Sequence, residues 1–208
     1  ATVLTFGLAE AQTNYILNGD FSSGLQNWVP FIATPPGPVN TISVVQDAGN
    51  PVLQMAVNAL DGGGVDWHVQ TWQTDGPLNT LASETTYTLS FRAKASVPHT
   101  LKLELYQWEY LVQDYRYLGL RVVPTIGTTW QSYNIVFRTE PSMPTIYVKL
   151  AMAVGNQLGT VWVDDISLTA TPPNTFAGGD LQLASFEPGE TWLQHAIQNI
   201  PNPPDIAP

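Results

Sequence analysis

Residues 101–108 read LKLELYQW, and this stretch predicts the fold class most directly. Leucine occupies every second position, and side chains of a β-strand point alternately to opposite faces of the sheet. The segment is therefore predicted to be a strand with its leucines in a core and Lys102, Glu104, Tyr106 and Trp108 on the other face. Comparable short runs with strand-like composition lie at residues 41–45, 52–57, 86–93, 132–138, 145–151 and 160–168.

Turn-forming residues separate these runs, as in residues 47–51 (DAGNP) and 62–64 (GGG). Short strands at fairly regular spacing, without helical periodicity, are typical of an antiparallel β-sandwich. Only residues 192–197 carry a pattern that favours a short helix. The sequence thus predicts an all-β fold.

The composition excludes several classes of partner. The chain has 208 residues, 17 acidic against 7 basic, no cysteine, and a net charge of -10. Binding to nucleic acid needs clustered Lys and Arg, so the charge argues against it and against an anionic membrane surface. No apolar run reaches the roughly 18 residues of a membrane span, and disulfides are excluded. Only 12% of the residues are charged, which favours an extracellular protein over a cytosolic enzyme.

Both ends of the sequence differ from its middle. Residues 1–13 form a predicted N-terminal extension with two open interpretations. It is either a β-segment of the mature protein or the end of a secretory signal with Ala9-Glu10-Ala11 as a cleavage site. Either interpretation implies export. Residues 170–208 form a predicted Pro/Gly-rich linker and tail, whose proline-rich end is unsuited to a central strand.

A short pattern occurs twice. Phe21-x-x-Gly24 precedes Trp28 near the start, and Phe186-x-x-Gly precedes Trp192 within the first-strand-like segment 180–192. Three interpretations stay open: chance, a truncated second module, or a tail that imitates the first strand.

Five motifs in order carry a family resemblance. They are residues 18–24 (NGDFSSG) with Trp28, 67–70 (WHVQ), 87–95 (YTLSFRAKA), 129–133 (TWQSY) and 161–168 (VWVDDISL). Over residues 14–169 the chain resembles carbohydrate-binding modules of the family 4/9/22 type. The resemblance implies an antiparallel jelly-roll β-sandwich of the galactose-binding-like type, here with extended N- and C-terminal tails. Since one fold hosts many functions, it implies no particular ligand.

The resemblance also implies a structural calcium ion near the first and last strands. Ca²⁺ takes six to eight oxygen ligands, and Asp20, Asp164 and Asp165 are the candidate carboxylates. Neighbouring strand residues face opposite ways, so one member of the Asp164/Asp165 pair is expected to face the ion. The acid that the family carries after the phenylalanine is Ser22 here. The alternative is that these aspartates accept hydrogen bonds from turn amides.

Aromatic and amide side chains are the candidate sugar contacts. Trp67 and Gln70 lie where the family places cleft residues, and ordinary packing is the alternative role for both. The densest cluster contributes Tyr106, Trp108, Tyr110, Tyr115, Arg116 and Tyr117. This cluster fits a sugar platform, a protein–protein contact or intramolecular packing. Trp28, Trp130 and Trp162 lie in core-like motifs of the family and are expected to be structural.

Nothing in the sequence indicates catalysis. His68, His99 and His195 are isolated and lack metal-ligand spacing, and no nucleophile or phosphate-binding motif is present. A carboxylate pair for glycoside hydrolysis needs proximity in space only, and Glu104 with Glu109 is no better a pair than many others.

Two functions therefore stay open. The first is a non-catalytic extracellular module, secreted or on a cell surface, that binds a polysaccharide or other glycan. The alternative is a structural subunit of an extracellular, pilus-like filament, in which a terminal strand is donated to the sheet edge of a neighbouring copy. The family motifs favour the first.

Overall fold

The computed structural model describes residues 12–33, 39–60, 63–109 and 114–171. This part of the chain contains twelve strands and two short 3-10 helices, Asp66–His68 and Gly76–Thr80. The strands are β1 (Val29–Ile32), β2 (Thr41–Asp47), β3 (Asn50–Val57), β4 (Val69–Thr74), β5 (Thr86–Ala95), β6 (His99–Thr100), β7 (Lys102–Glu109), β8 (Asp114–Val122), β9 (Thr125–Ile126), β10 (Gln131–Arg138), β11 (Val148–Ala153) and β12 (Gly159–Ala170).

Ten of these strands form two antiparallel sheets. The front sheet has the order β1-β4-β11-β7-β8, and the back sheet has the order β10-β5-β12-β3-β2. Strands β6 and β9 pair separately as a small ribbon. The predicted all-β antiparallel sandwich is confirmed.

The core lies between the two sheets and follows the alternation seen in the sequence. In β7 the predicted leucine face is buried, with Leu103 and Leu105 almost fully inaccessible. Strand β5 buries every second residue over its whole length, from Tyr87 to Ala95. Each large apolar side chain removed from water contributes about 1.5–3 kcal/mol, so these faces hold the sheets together.

The segment before β1 packs into the core although it is irregular. Phe21 is 0% exposed and Trp28 is 3% exposed, and their rings lie 5.6 Å apart. The Asn18 side chain donates to the carbonyl oxygens of Gly24 and Gln26 at 2.9 Å, which shapes the turn between them. Gly19 is required because a Cβ there would lie 1.9 Å from the Ile166 carbonyl oxygen.

Strand β4 was not predicted as a strand, because its alternation is inverted. Thr71 and Gln73 face the core and are almost fully buried, while Gln70 and Trp72 face outward. The Gln73 amide is satisfied there, since it accepts from the Leu17 amide at 2.9 Å and donates to the Leu17 carbonyl at 2.8 Å. A polar residue with internal partners thus replaces the expected apolar one.

The predicted run at residues 145–151 begins later than expected. Strand β11 starts at Val148, because Tyr147 has a φ of +58° and its amide donates to the Asp75 carboxylate at 3.0 Å. Strands β1 and β8 were also not predicted. The proposed helix at 192–197, the repeated pattern at 180–192 and most of both predicted tails lie outside the described residues. Within the described ranges, no helix is long and apolar enough to cross a membrane.

Candidate functional site

The outer face of the front sheet carries a groove of about 280 Å³. Its lining comes from all five strands of the sheet and from the first 3-10 helix. The lining residues are Phe31, Trp67, Gln70, Trp72, Tyr106, Trp108, Tyr115 and Lys149. Six of these eight residues are aromatic.

Strand register determines which side chains become neighbours across this face. On the central strand β11, Lys149 pairs with Thr74 of β4 and with Tyr106 of β7. Two residues further on, Ala151 pairs with Trp72 and Glu104. Because Ala151 is small and its two neighbours are large, the side chains of the flanking strands project further from the sheet than Ala151 does.

One wall of the groove is a run of three rings. The Phe31 ring lies 6.1 Å from the Trp67 ring and 6.0 Å from the Trp72 ring. Trp67 projects from the 3-10 helix and is 47% exposed, which is unusual for so large an apolar side chain. This wall therefore offers a wide aromatic surface to solvent.

The opposite wall consists of Tyr106, Trp108 and Tyr115. Tyr115 is 50% exposed and contacts both neighbours edge-on, at 5.1 Å from Tyr106 and 4.7 Å from Trp108. Tyr106 is 8% exposed, and burial, assisted by Tyr115 and Glu104, raises the pKa of its phenol far above the ordinary value. The Tyr106 hydroxyl is therefore protonated and able to donate at any physiological pH.

A network of ion pairs borders the groove on the same face. Lys102 contacts Asp66 at 3.2 Å and Glu104 at 3.0 Å, and Arg121 contacts Glu104 at 3.0 Å. Burial lowers the pKa of Lys102, but its bonds to Glu104 and Asp66 outweigh that effect and raise the pKa overall. The two positive and two negative charges balance, and all four side chains are paired within the protein.

The groove itself contains polar groups with no internal partner. The side chains of Gln70 and Lys149 and the hydroxyl of Tyr106 make no hydrogen bond to any other described residue. Beside them, the buried Thr74 Oγ1 also lacks a partner within the described ranges. Polar groups at such positions usually bond to something, which in a surface groove is water or a ligand.

The structure brings five of the predicted sugar contacts into this groove: Trp67, Gln70, Tyr106, Trp108 and Tyr115. Tyr110 lies outside the described residues. Tyr117 lies opposite Tyr106 on the same face but does not line the groove, and Arg121 covers its ring at 4.3 Å. Arg116 alternates with Tyr115 and Tyr117, faces away from the groove, and contacts the Ser142 carbonyl oxygen and, at 3.9 Å, Glu109.

Three lining residues were not predicted: Phe31, Trp72 and Lys149. A signal for Trp72 existed, because it lies two residues after Gln70 and therefore on the same face of the strand. Phe31 and Lys149 reach the groove only through the order of strands in the sheet, which the sequence did not indicate.

The three predicted calcium ligands bond to different partners. Asp164 Oδ2 accepts from Asn50 at 2.7 Å, Asp165 pairs with Arg92 at 3.1 Å, and Asp20 Oδ1 accepts from the amide and hydroxyl of Ser22. Burial raises the pKa of Asp164. Across the described ranges, no three acidic or histidine side chains are grouped so that they could hold a metal ion. The three aspartates thus do not share a contact partner, and calcium binding stays a prediction.

A second aromatic cluster lies on the outer face of the back sheet. This back-sheet cluster consists of Asp47, Arg92, Lys94, Trp130 and Trp162. Lys94 Nζ lies 5.0 Å from the Trp130 ring and 5.2 Å from the Trp162 ring, and Arg92 lies 5.1 Å from Trp130. Asp47 accepts from Lys94 at 2.8 Å and from the Trp130 indole at 2.7 Å. Trp28 is buried as expected, whereas Trp130 and Trp162 are only partly buried.

An aromatic groove with a few polar groups is the kind of concave surface in which proteins bind ligands. A family model described as "Carbohydrate binding domain", of the CBM 4/9 type, matches residues 13–156. The chain belongs to this carbohydrate-binding family. No curated protein matches the chain.

Solved structures with the same fold include several carbohydrate-binding modules. One described under "CBM4 structure and function" is 21% identical with a TM-score of 0.56, covering 75% of this chain and 99% of its own. The ligand-free BiXyn10A CBM1 is 13% identical with a TM-score of 0.56, covering 78% and 98%. The CBM22-1 xylan-binding domain of Paenibacillus barcinonensis Xyn10C is 14% identical with a TM-score of 0.54, covering 78% and 97%. At these identities the likeness shows the fold.

Proposed function

We propose that the chain is a non-catalytic extracellular module that holds a segment of a polysaccharide in the front-sheet groove. The observation that carries this proposal is the groove itself, in which two aromatic walls flank polar side chains that make no hydrogen bond to any described residue. Family membership supports the ligand class, and the low content of charged residues supports an extracellular location.

Each part of the groove suits a pyranose ring. The apolar faces of sugar rings pack against exposed aromatic rings, which Trp67 and Tyr115 provide on opposite walls. The Gln70 amide can both donate to and accept from sugar hydroxyls, and the Tyr106 hydroxyl can do the same. Because these groups have no internal partner, ligand binding satisfies them without breaking a bond of the fold.

The lining does not support hydrolysis. Most glycoside hydrolases need a pair of carboxyl groups that flank the scissile bond. None of the residues that line the groove is acidic, and the nearby Glu104 is held between Lys102 and Arg121. The groove can therefore bind a glycan but offers no acid–base pair to cleave it.

The experiment is a binding assay on a panel of soluble β-glucans and xylans, since one structural relative is a xylan-binding domain. We expect the double variant Trp67→Ala, Trp108→Ala to lose at least about a hundredfold in affinity, because rings stacked on a ligand are binding hot spots. Affinity electrophoresis gives a first reading and calorimetry the dissociation constant.

The matched control for this experiment is Trp162→Ala in the back-sheet cluster, which removes an indole remote from the groove lining. We expect this variant to bind like the parent chain. Unchanged binding by the groove double variant, with an intact circular dichroism spectrum, would remove the groove as the site.

A further inference from the structure

One cation in this chain differs from all the others. The sequence contains seven Lys and Arg residues, and the described ranges include every one of them. Six of the seven lie within 4 Å of a carboxylate oxygen. These pairs are Arg92–Asp165, Lys94–Asp47, Lys102–Asp66 and Glu104, Arg116–Glu109, Arg121–Glu104 and Arg138–Glu84. Only Lys149 makes no ion pair and no hydrogen bond with any described residue.

The unpaired cation lies in the groove. Lys149 is on the central strand β11 and contributes to the lining, where its Nζ lies 5.0 Å from the Trp72 ring. Its two cross-strand neighbours, Thr74 and Tyr106, bear the hydroxyl groups that also lack internal partners. The residues that bear one ammonium group and two hydroxyl groups thus lie side by side on three neighbouring strands.

This arrangement is unusual for a chain with so many acids. Seventeen acidic residues compete for seven cations, so carboxylates are available to pair with each one. A partly buried ammonium beside an aromatic ring gains only about 0.5–2 kcal/mol from that ring. A carboxylate at hydrogen-bond distance forms a charge-assisted bond, which is shorter and roughly twice as strong as a neutral one. A carboxylate on a ligand in the groove can therefore form this bond with Lys149 without breaking an ion pair of the fold.

We propose that the groove selects glycans that carry an anionic substituent, the carboxylate of a uronic acid, and that Lys149 is the residue that determines this specificity. This inference rests on the proposed function, because it names the ligand class of the same groove. The neutral sugar rings stack on the aromatic walls, and the carboxylate accepts from the Lys149 ammonium. A sulfate ester offers the same charge and is separated from the carboxylate by the experiment.

The experiment compares ligands that differ only in charge. Glucuronoxylan oligosaccharides are titrated beside the same oligosaccharides after reduction of their carboxyl groups, and oligogalacturonates beside their methyl esters. A sulfated xylan oligosaccharide forms a third arm. We expect the carboxylate-bearing member of at least one pair to bind about tenfold more tightly than its neutral counterpart. Tighter binding of the sulfated ligand than of the uronate would assign the site to sulfate esters instead.

Variants then assign the preference to one side chain. In Lys149→Met, which keeps the length and apolar stem, the ratio of the two dissociation constants should fall to about one. Lys149→Arg should keep the preference, and moderate salt should reduce it in the parent chain by screening the charge. Arg138→Met is the matched control, because it changes the net charge equally on a residue that does not line the groove.

The possible failures are distinguishable. If neutral and acidic members of every pair bind equally, or if Lys149→Met keeps the preference, the charge selection is wrong. In that case, loss of binding in the Trp67, Trp108 double variant still leaves the proposed function standing. If no neutral or acidic glycan binds at all, both proposals fall together.

Discussion

The two outer faces of this sandwich contain the same kinds of side chains but use them differently. On the back sheet, Lys94 lies between the rings of Trp130 and Trp162 while Asp47 accepts from both Lys94 and the Trp130 indole. On the front sheet, the groove contains rings and a lysine of the same types, but the side chains of Gln70, Tyr106 and Lys149 make no hydrogen bond within the described part of the chain. The charged groups around Lys94 are bonded to one another, whereas these three polar groups of the groove are not.

This contrast shows that exposed tryptophans alone do not identify a binding site. Aromatic rings beside cations occur on both faces, with six rings in the groove and two in the back-sheet cluster. What separates them is whether the neighbouring polar groups already have partners, since a group that is bonded within the fold must break that bond before it can contact a ligand.

The two lysines allow a direct comparison by the same substitution. Lys94→Met should lower the free energy of unfolding by about 1–2 kcal/mol, because it removes the cation from two rings and leaves Asp47 without its ammonium partner. Lys149→Met should cost less, about 0.5 kcal/mol, because it removes a single cation–ring contact, with Trp72, and no ion pair. Urea unfolding measures both. Equal losses for the two variants would contradict the contrast.

A smaller effect is expected from the pH dependence of the back-sheet cluster. Bonds from Lys94 and Trp130 lower the pKa of the Asp47 carboxyl below its ordinary value. The ionised carboxylate therefore stabilises the folded chain at all pH values above about 4, and this contribution is lost as the pH falls through the lowered folded pKa.

Asp47→Asn should consequently melt below the parent at neutral pH, and the difference should shrink as the pH falls from about 4 to about 2. Thermal unfolding followed by circular dichroism across this range is the measurement. Glycan affinity at neutral pH serves as the control and should not change. A constant gap in melting temperature down to the lowest pH would show that the carboxylate charge plays no part.

The smallest effect is expected from a single hydroxyl in the groove. Tyr106→Phe removes the phenolic oxygen but keeps the ring, and should weaken glycan binding about threefold by removing one hydrogen bond to the ligand. Stability should not fall, since the hydroxyl has no partner within the described part of the chain. Calorimetry measures the glycan affinity of this variant, and urea unfolding measures its stability. A loss of stability without a loss of affinity would show that the hydroxyl serves the fold and not the ligand.

Sequence reasoning predicted the sandwich because its main strands alternate cleanly. Strand β5 buries every second residue over its whole length, and β7 does so from Lys102 to Leu105, as expected from their letters alone. Strand β4 was not predicted because its polar residues Thr71 and Gln73 face the core. The residue that hydrogen-bonds to Gln73 there is Leu17, which lies far away in the sequence. A hydrophobicity pattern cannot recognise a buried amide whose partners depend on the folded structure.

The candidate site was only partly predictable for a related reason. Trp67 and Gln70 came from the family resemblance, and Tyr106, Trp108 and Tyr115 came from local aromatic density. Strict alternation would already have separated Arg116 from its two tyrosine neighbours. By contrast, Lys149 becomes a neighbour of Trp72 and Tyr106 only because β11 lies between β4 and β7. That strand order is a property of the whole fold.

Strand β11 also bears on how such modules can change over generations. Val148 and Leu150 are buried in the core, while Lys149 between them faces the groove. Adjacent codons in the gene thus encode side chains with different roles. The outer two encode core residues, and the middle one encodes a residue of the groove lining. Under the specificity proposed for Lys149, a change in this one codon exchanges a charged ligand for a neutral one and leaves the core residues on either side unchanged.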